Sequence, residues 1–419
     1  MSQVQATLDH LFRRSSGKIV AYLTRFFGPD HLDLAEVVVQ EALLKALQSW
    51  PLQGIPENPE AWLMRASKNC AIDHIRKSRD LPQDAEILNA LVDDLAAEDE
   101  ESKRTFAKEL QDDSLKLLFI CCHPALARES RIALTLKTLC GFGIPEIARA
   151  FLAKDETIAQ RVVRAKQKIA DLHLAYEVPP PEALEERLDS VLDVLYLMFN
   201  EGYLATSGES LLRRDFCEEA IHCSTSLAHH EIGQQPRVFA LLALMHFQIS
   251  RFNSRLDAQG KLLLLEEQDR ALWDQEHIHL GLRYLDLSAD GEDLSEFHLQ
   301  AGIASCHAIA TNFATTDWQR IVSYYDMLLV RDSSPVVALN RAVAVAMSEG
   351  FGAGLREIDE ITDVAALKSY YLLPATRAEL LRRQGRLAEA KVEYERALTL
   401  VGTEPEKRLI QKRIIACKS

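Results

Sequence analysis

No apolar run of 18 residues occurs in this chain, and its opening MSQVQATLDH lacks a charged-then-apolar leader. Those two absences exclude a spanning helix and a secretory signal, so a cytoplasmic protein with no membrane partner is expected. The doubled C-x₂-C spacing of a structural zinc site is missing too. Cys121-Cys122-His123 and the group Cys217, His222, Cys223, His229 and His230 therefore read as packing residues, and neither a metal nor another cofactor is expected. The eight cysteines are expected to be reduced thiols rather than a disulfide framework. Alternating strand runs are absent, which leaves an all-α fold. No positioned nucleophile, glycine-rich phosphate loop or metal triad is found, so no catalytic residue is assigned and the chain is not expected to be an enzyme.

What is present is helical and unevenly charged. A length of 419 residues suits about three domains, at ~150 residues each. The net charge of −14 argues against indiscriminate nucleic-acid binding, but the total hides a pattern. Residues 1–80 carry 10 basic and 9 acidic groups, and residues 121–176 carry 9 and 5. The stretch 81–120 carries 4 and 11, and the remainder 25 and 37. Small basic patches are set in an acidic body.

The first patch lies in 59–79, PEAWLMRASKNCAIDHIRKSR. Pro59 opens a helix, and Arg65, Asn69, Asp73 and Arg76 fall at i, i+4, i+8 and i+11, which is one stripe. Leu63, Met64, Ala66, Cys70, Ala71 and Ile75 supply a broad apolar side. The loop 51–58, with Pro51 and Pro56, precedes it. A rigid loop beside a cationic helix suits capture of one nucleic-acid strand with a base held out of its stack; an amphipathic helix with a solvated face is the plainer reading.

The second patch is a helix-turn-helix. Residues 143–151 form a short helix with proline in its first turn, 153–155 the turn, with Asp155 placed to cap, and 156–170 the second helix. Ile158, Val162, Ala165 and Ile169 make a buried stripe, leaving Thr157, Gln160, Arg161, Arg164, Gln167 and Lys168 outside. Arg161, Arg164, Lys166 and Lys168 against Glu156 make the helix locally cationic, as a recognition helix in a major groove requires.

In this order the two motifs resemble the extracytoplasmic-function (ECF) sigma factors of bacterial RNA polymerase, over roughly residues 8–175. The residues that carry the likeness are Asp33-Leu34-Ala35-Glu36-Val37-Val38-Val39-Gln40-Glu41, Trp62-Leu63 through Arg76, Glu146-Ile147-Ala148, and Thr157-Ile158-Ala159-Gln160-Arg161. Two positions depart from the pattern: Val37 where the family is usually acidic, and Glu156 where a glycine precedes the threonine. The resemblance implies that residues 1–80 are region 2, 81–112 an acidic linker, and 113–176 region 4. It implies contact with core RNA polymerase through the 33–48 helix, at Asp33, Glu36, Gln40 and Glu41, with Val38, Ala42 and Leu47 turned to the core. It implies contact with promoter DNA at the −10 element through the 51–58 loop and Trp62, Arg65, Asn69, Asp73, Arg76, Lys77 and Arg79. The −35 element would be read by Thr157, Gln160, Arg161, Arg164, Lys166 and Lys168, with Lys166 or Lys168 on phosphate. The acidic connector reads as a solvated linker, as an occupant of a basic polymerase channel, or as a cover for the chain's own basic patches.

Pro179-Pro180-Pro181 marks a stiff break, and 182–419 reads as an extension of helices. These are expected at 182–200, 214–229, 236–250, 260–273, 296–312, 317–330, 335–348, 353–361, 370–384 and 387–400. Asn200-Glu201-Gly202-Tyr203 reads as a helix end with a glycine cap. Ala378, Leu381, Gly385, Leu387, Ala390, Tyr394 and Ala397 match a tetratricopeptide repeat, and stacked repeats offer a concave surface for a protein or peptide partner. The polar segment 257–274 reads as buried contacts between hairpins, or as a regulatory surface. The expected function is an ECF-type sigma factor whose C-terminal domain activates or restrains it. The alternative is a helix-turn-helix regulator with a repeat-type sensor that acts without polymerase docking.

Overall fold

A computed structural model describes residues 3–78, 87–92, 100–151, 153–203, 213–257, 263–291, 294–331, 333–361, 367–368, 370–402 and 404–417. Its regular elements are helices, with no strand among the described residues. The chain divides into two units, Met1–Gly233 and Gln234–Ser419.

In the first unit α1 (Gln3–Phe27), α2 (Leu32–Gln53) and α3 (Pro59–Ser78) pack on one another. Helical spacing puts Ala35, Val38, Val39, Ala42 and Ala46 of α2 on one buried face, opposite Leu63, Cys70, Ala71 and Ile75 of α3 and Ile19, Tyr22 and Leu23 of α1. Each large side chain so buried contributes about 1.5–3 kcal/mol. Helix α2 continues through Pro51, so the loop before α3 is 54–58 rather than 51–58. The proline forfeits one bond in the last turn, where buried Trp50 anchors the helix, and the chain leaves through Gly54 at φ 90. Asn58 then caps α3, its Oδ1 accepting from the Ala61 N–H at 3.0 Å. Leu47, expected in the core, is 39% exposed.

Helix α4 (Glu100–Cys121) begins inside the expected linker, so 100–112 is helical. It is followed by α5 (Arg128–Leu134), which passes into a π turn at Thr135–Leu139. A Cβ on Gly17 would meet the Leu139 carbonyl oxygen at 1.8 Å, so α1 approaches this turn as closely as only glycine permits. The hairpin of α6 (Ile144–Ala150) and α7 (Asp155–Leu172) is the expected helix-turn-helix, except that Lys154 precedes the helix and Asp155 is its first residue. Asp155 and Glu156 then lie at the positive end of the α7 dipole.

Pro181 starts α8 (Pro181–Tyr203), and α9 (Arg214–His229) follows. Both belong to the first unit, so the proline run is not where the two units part. The Arg187 Nη2 donates to the Phe119 carbonyl at 2.7 Å, Arg128 forks onto Asp193, and Phe216 stacks on Phe142 with centroids 4.2 Å apart. Helix α8 does not end at Gly202. It runs to Tyr203, and Gly202 is where α9 crosses, since a Cβ there would meet the Arg213 oxygen at 2.7 Å.

The second unit is a succession of hairpins: α10 (Pro236–Ser250) with α11 (Gln275–Leu287), α12 (Glu296–Ile309) with α13 (Trp318–Arg331), α14 (Pro335–Glu349) with α15 (Phe351–Ile361), and α16 (Leu372–Arg383) with α17 (Leu387–Leu400), closed by α18 (Glu404–Ala416). The small residues Ala378, Ala390 and Ala397 are buried with Leu381 and Tyr394, and Gly385 turns the last hairpin at φ 79. The helix expected at 260–273 is absent from 263–273, and 258–262 lie outside the described residues. Only single 3-10 turns form, at Leu265–Glu267 and Arg270–Leu272, because Asp269 and Asp274 cap in succession, accepting from the Ala271 and His277 N–H groups.

His246 of α10, with Nδ1 2.9 Å from His277 Nδ1, is held down at about 4 by burial and by His277. Burial and the nearby Arg251 and Arg270 likewise hold His307 at about 3. The fold keeps both imidazoles neutral while the unfolded chain takes protons near pH ~6.5. Their contribution to stability is therefore whole above that pH and falls as pH drops toward 4. Urea unfolding between pH 7.5 and 5 should show the second unit weakening with acid, and His246→Gln should flatten that dependence.

Candidate nucleic-acid interface

Helix α3 turns Arg65, Asn69, Asp73, Arg76 and Lys77 to the exterior, as their spacing predicts, while Leu63, Met64, Cys70, Ala71 and Ile75 are buried behind them. Arg79 lies outside the described residues. Trp62 is half-buried at the start of α3, edge-on to Trp50 of α2 with centroids 5.3 Å apart. The short loop 54–58 is thus held between two tryptophan-anchored helix ends. Lys68, which periodicity did not single out, is buried with its ammonium 5.0 Å from the Tyr22 ring.

On α7, Thr157, Gln160, Arg164 and Lys168 are exposed and Arg161 half-buried, forming one stripe opposite buried Ile158, Val162, Ala165 and Ile169. Residues 11–80 match the model of sigma-70 region 2, and residues 116–169 that of sigma-70 region 4. The chain belongs to the sigma-70 family. It is an RNA polymerase sigma factor, and its partners in that role are core RNA polymerase and promoter DNA. Residues 187–289 match a family of unknown function (DUF6596). An uncharacterized protein of Rhizobium meliloti is 37% identical over 393 residues, covering 94% of this chain and 91% of that protein. No helix among the described residues is long and apolar enough to cross a membrane.

In this sigma factor α2 packs on α3, and its outward face is mixed. Gln40 is exposed between Val37, Leu44 and Leu47, which are 43%, 56% and 39% exposed. These four fall at i, i+3, i+7 and i+10, one apolar stripe with a single amide. Val37, the departure from the family's acidic residue, belongs to that stripe. Glu41 is turned aside to His74 of α3, at 3.0 Å.

Asp33 and Glu36 are engaged. Lys166 Nζ of α7 donates to Asp33 Oδ1 at 2.6 Å and to Glu36 Oε2 at 2.9 Å. Thr138 Oγ1 donates to the other oxygen of Glu36 at 2.6 Å. The Lys166 side chain is only 10% exposed and that of Glu36 13%, whereas Asp33 is 80% exposed. Burial alone would pull the Lys166 ammonium down, but the two carboxylates outweigh it and raise it above the ordinary lysine value. Two residues beyond Arg164 a helix has turned by about 200°, so Lys166 points away from the stripe that faces out. That rotation was readable from spacing, and it separates Lys166 from Lys168.

The same seam is closed at two further points. His173, at φ 46 after α7, places Nδ1 3.1 Å from Asp30. The Tyr176 hydroxyl lies 2.7 Å from the Ala21 carbonyl and 2.9 Å from that of Asp113, and burial pushes its pKa up. Buried Asp113 is met by Arg25 at 3.6 Å and Lys116 at 3.3 Å. Regions 2 and 4 are therefore docked on each other.

Of the candidate metal ligands of the sequence the cysteines are buried, whereas His222 and His229 are exposed. The eight cysteines are buried and none forms a disulfide, with burial pushing the Cys122 thiol up to about 12, and among the described residues no cluster of three or more side chains is arranged to hold a metal.

Proposed function

We propose that this protein is an ECF-type sigma factor that docks on core polymerase through the outward face of α2 and reads promoters through α3 and α7. The observation that carries this reading is the pairing, in one unit, of the exposed Arg65–Asn69–Asp73–Arg76 stripe with the exposed Thr157–Gln160–Arg164–Lys168 stripe. The loop 54–58 and Trp62, with Arg65, Asn69, Asp73, Arg76 and Lys77, hold the unpaired −10 strand, where aromatic stacking and phosphate contact act together. Arg161 and Arg164 read the −35 duplex, and Lys168 touches phosphate. The exposed Val37–Gln40–Leu44–Leu47 stripe is the polymerase contact, which a regulator acting alone has no use for.

The docked seam supports a restrained resting state. The −10 and −35 elements are centred about 25 base pairs apart, ~85 Å at ~3.4 Å per base pair. A compact body the size of the first unit has a radius of gyration near ~17 Å and spans roughly 45 Å. Regions 2 and 4 must part before both elements are read. Helices α8 and α9, packed on α4 and α5, give the C-terminal extension a handle on that step.

Run-off transcription with purified core polymerase tests the assignment. Arg161→Ala with Arg164→Ala should lower transcription from a matched promoter by at least tenfold, since a bidentate arginine–guanine pair is worth ~1–3 kcal/mol. Undiminished transcription with native helicity would remove α7 from the reading role.

A further inference from the structure

The connection between α10 and α11 is out of proportion to the others. Links between helices in a stacked array run about 2–8 residues, and each hairpin touches only its neighbours. This one runs from Ser250 to Gln275, and it returns to its origin, where the Asp274 N–H donates to the Ser250 carbonyl at 2.8 Å. The described residues of this arm, 251–257 and 263–274, belong to the second unit, and the Leu263 N–H donates to the Arg255 carbonyl at 2.8 Å.

Its base is locked. Trp273 is 2% exposed between two guanidiniums, those of Arg251 at 5.3 Å and Arg270 at 4.7 Å. Arg270 donates to the carbonyls of His307 and Ala310 at the end of α12, the latter at 2.8 Å, so a cation meets the negative end of that helix. Gln268 Oε1 accepts from Arg251 at 3.3 Å and Ser254 at 3.4 Å.

Its tip is held differently. Glu266 Oε2 accepts from Arg383 Nη2 of α16 at 2.6 Å, and Glu267 Oε1 from Arg413 Nη2 of α18 at 3.2 Å. These partners stand 117 and 146 residues further along the chain. Beside them the Arg383 guanidinium lies over the Phe351 ring at 5.6 Å and against Met347. The tip is an extended Leu264 followed by a single turn, Leu265–Glu267, and it meets a face holding two cations, a thioether and an aromatic ring, where Arg383 also donates through Nε to Glu379 at 2.9 Å. All four ion-pairing side chains are partly buried, 17–32% exposed, so salt screens this contact less than it would a surface pair, and the tip is held by charge where the base is held by packing.

We infer that this face of α14, α15, α16 and α18 is a docking surface for an acidic segment of a partner protein, bearing adjacent carboxylates behind an apolar residue. The arm tip is its resident occupant, which a partner displaces while Trp273 and Arg270 keep the base in place. The inference is independent of how the first unit reads promoters. Displacement exchanges two carboxylate–guanidinium pairs for two equivalent ones, so a competing segment loses little and gains contact with Phe351 and Met347.

The test uses the full chain and a fluorescein-labelled peptide of residues 263–269. Glu266→Gln with Glu267→Gln removes the tip's charges and keeps its shape. The peptide should bind this variant at least tenfold more tightly than the unaltered chain, weaken with added salt, and lose the gain when Arg383→Gln is added. Equal binding to both chains, or binding indifferent to Arg383→Gln, would overturn the proposal. Should the double variant lose helicity, millimolar peptide added to the unaltered chain decides. Faster amide exchange at Glu266 and Glu267, with Gln268 and the rest of the base unchanged, supports displacement, and unchanged exchange at the tip refutes it.

Discussion

Lys166→Ala is expected to raise transcription from a matched promoter at limiting factor concentration, although it deletes a cation from the helix proposed to read DNA. The ammonium is buried against Asp33 and Glu36, so its first effect is on the seam between regions 2 and 4. Charged hydrogen bonds at such a site are worth ~1.5–3 kcal/mol, and losing them leaves Glu36 with Thr138 alone. That corresponds to roughly a 10- to 100-fold shift toward the parted state. The slope of duplex affinity against salt should not change, because no phosphate contact is lost. A uniform fall in affinity, with the slope reduced by about one, would instead put Lys166 on the DNA backbone. Lys168→Ala is the matched comparison, since Lys168 is exposed and should show that second pattern.

Leu44→Asp is expected to abolish retention by core polymerase while leaving the fold intact. Leu44 is 56% exposed at the middle of the α2 stripe, so a carboxylate there costs the monomer little. At the centre of an interface, residues of this kind carry ~2 kcal/mol or more, and a buried unpaired charge adds its desolvation cost. Binding should fall by at least ~100-fold, as read by co-purification with core at native helicity. Glu41→Ala should have a smaller effect, because Glu41 is turned to His74. Full retention of Leu44→Asp would move the docking surface off this face of α2.

The two predictions rest on different kinds of legibility. The stripes on α3 and α7 were readable because local spacing decides which residues share a helical face, and proline and Asn58 mark where α3 starts. Loop 54–58 was readable to within one turn; the error came from treating Pro51 as a breaker, when a buried Trp50 holds the helix past it. The arm at 263–274 was misread as a helix because its leucine-rich stretch has helical composition, and the successive caps at Asp269 and Asp274 were not weighed.

By itself the sequence determined the helical class, the order of region 2, helix-turn-helix and extension, and the exposed residues of α3 and α7. The helical class and the exposed residues depend on periodicity within some 20 residues, while the order of region 2 and helix-turn-helix rests on the family resemblance that the two motifs carry. Tertiary structure alone decided that Lys166, 133 and 130 residues away, pairs with Asp33 and Glu36, and that Glu36 is buried by it while Asp33 stays exposed. It also decided that α8 and α9 complete the first unit, although a proline run precedes them. The physical reason is common to both. A charge or an apolar face seeks whichever complementary surface the folded chain brings near, and that choice is made between segments that no local pattern relates.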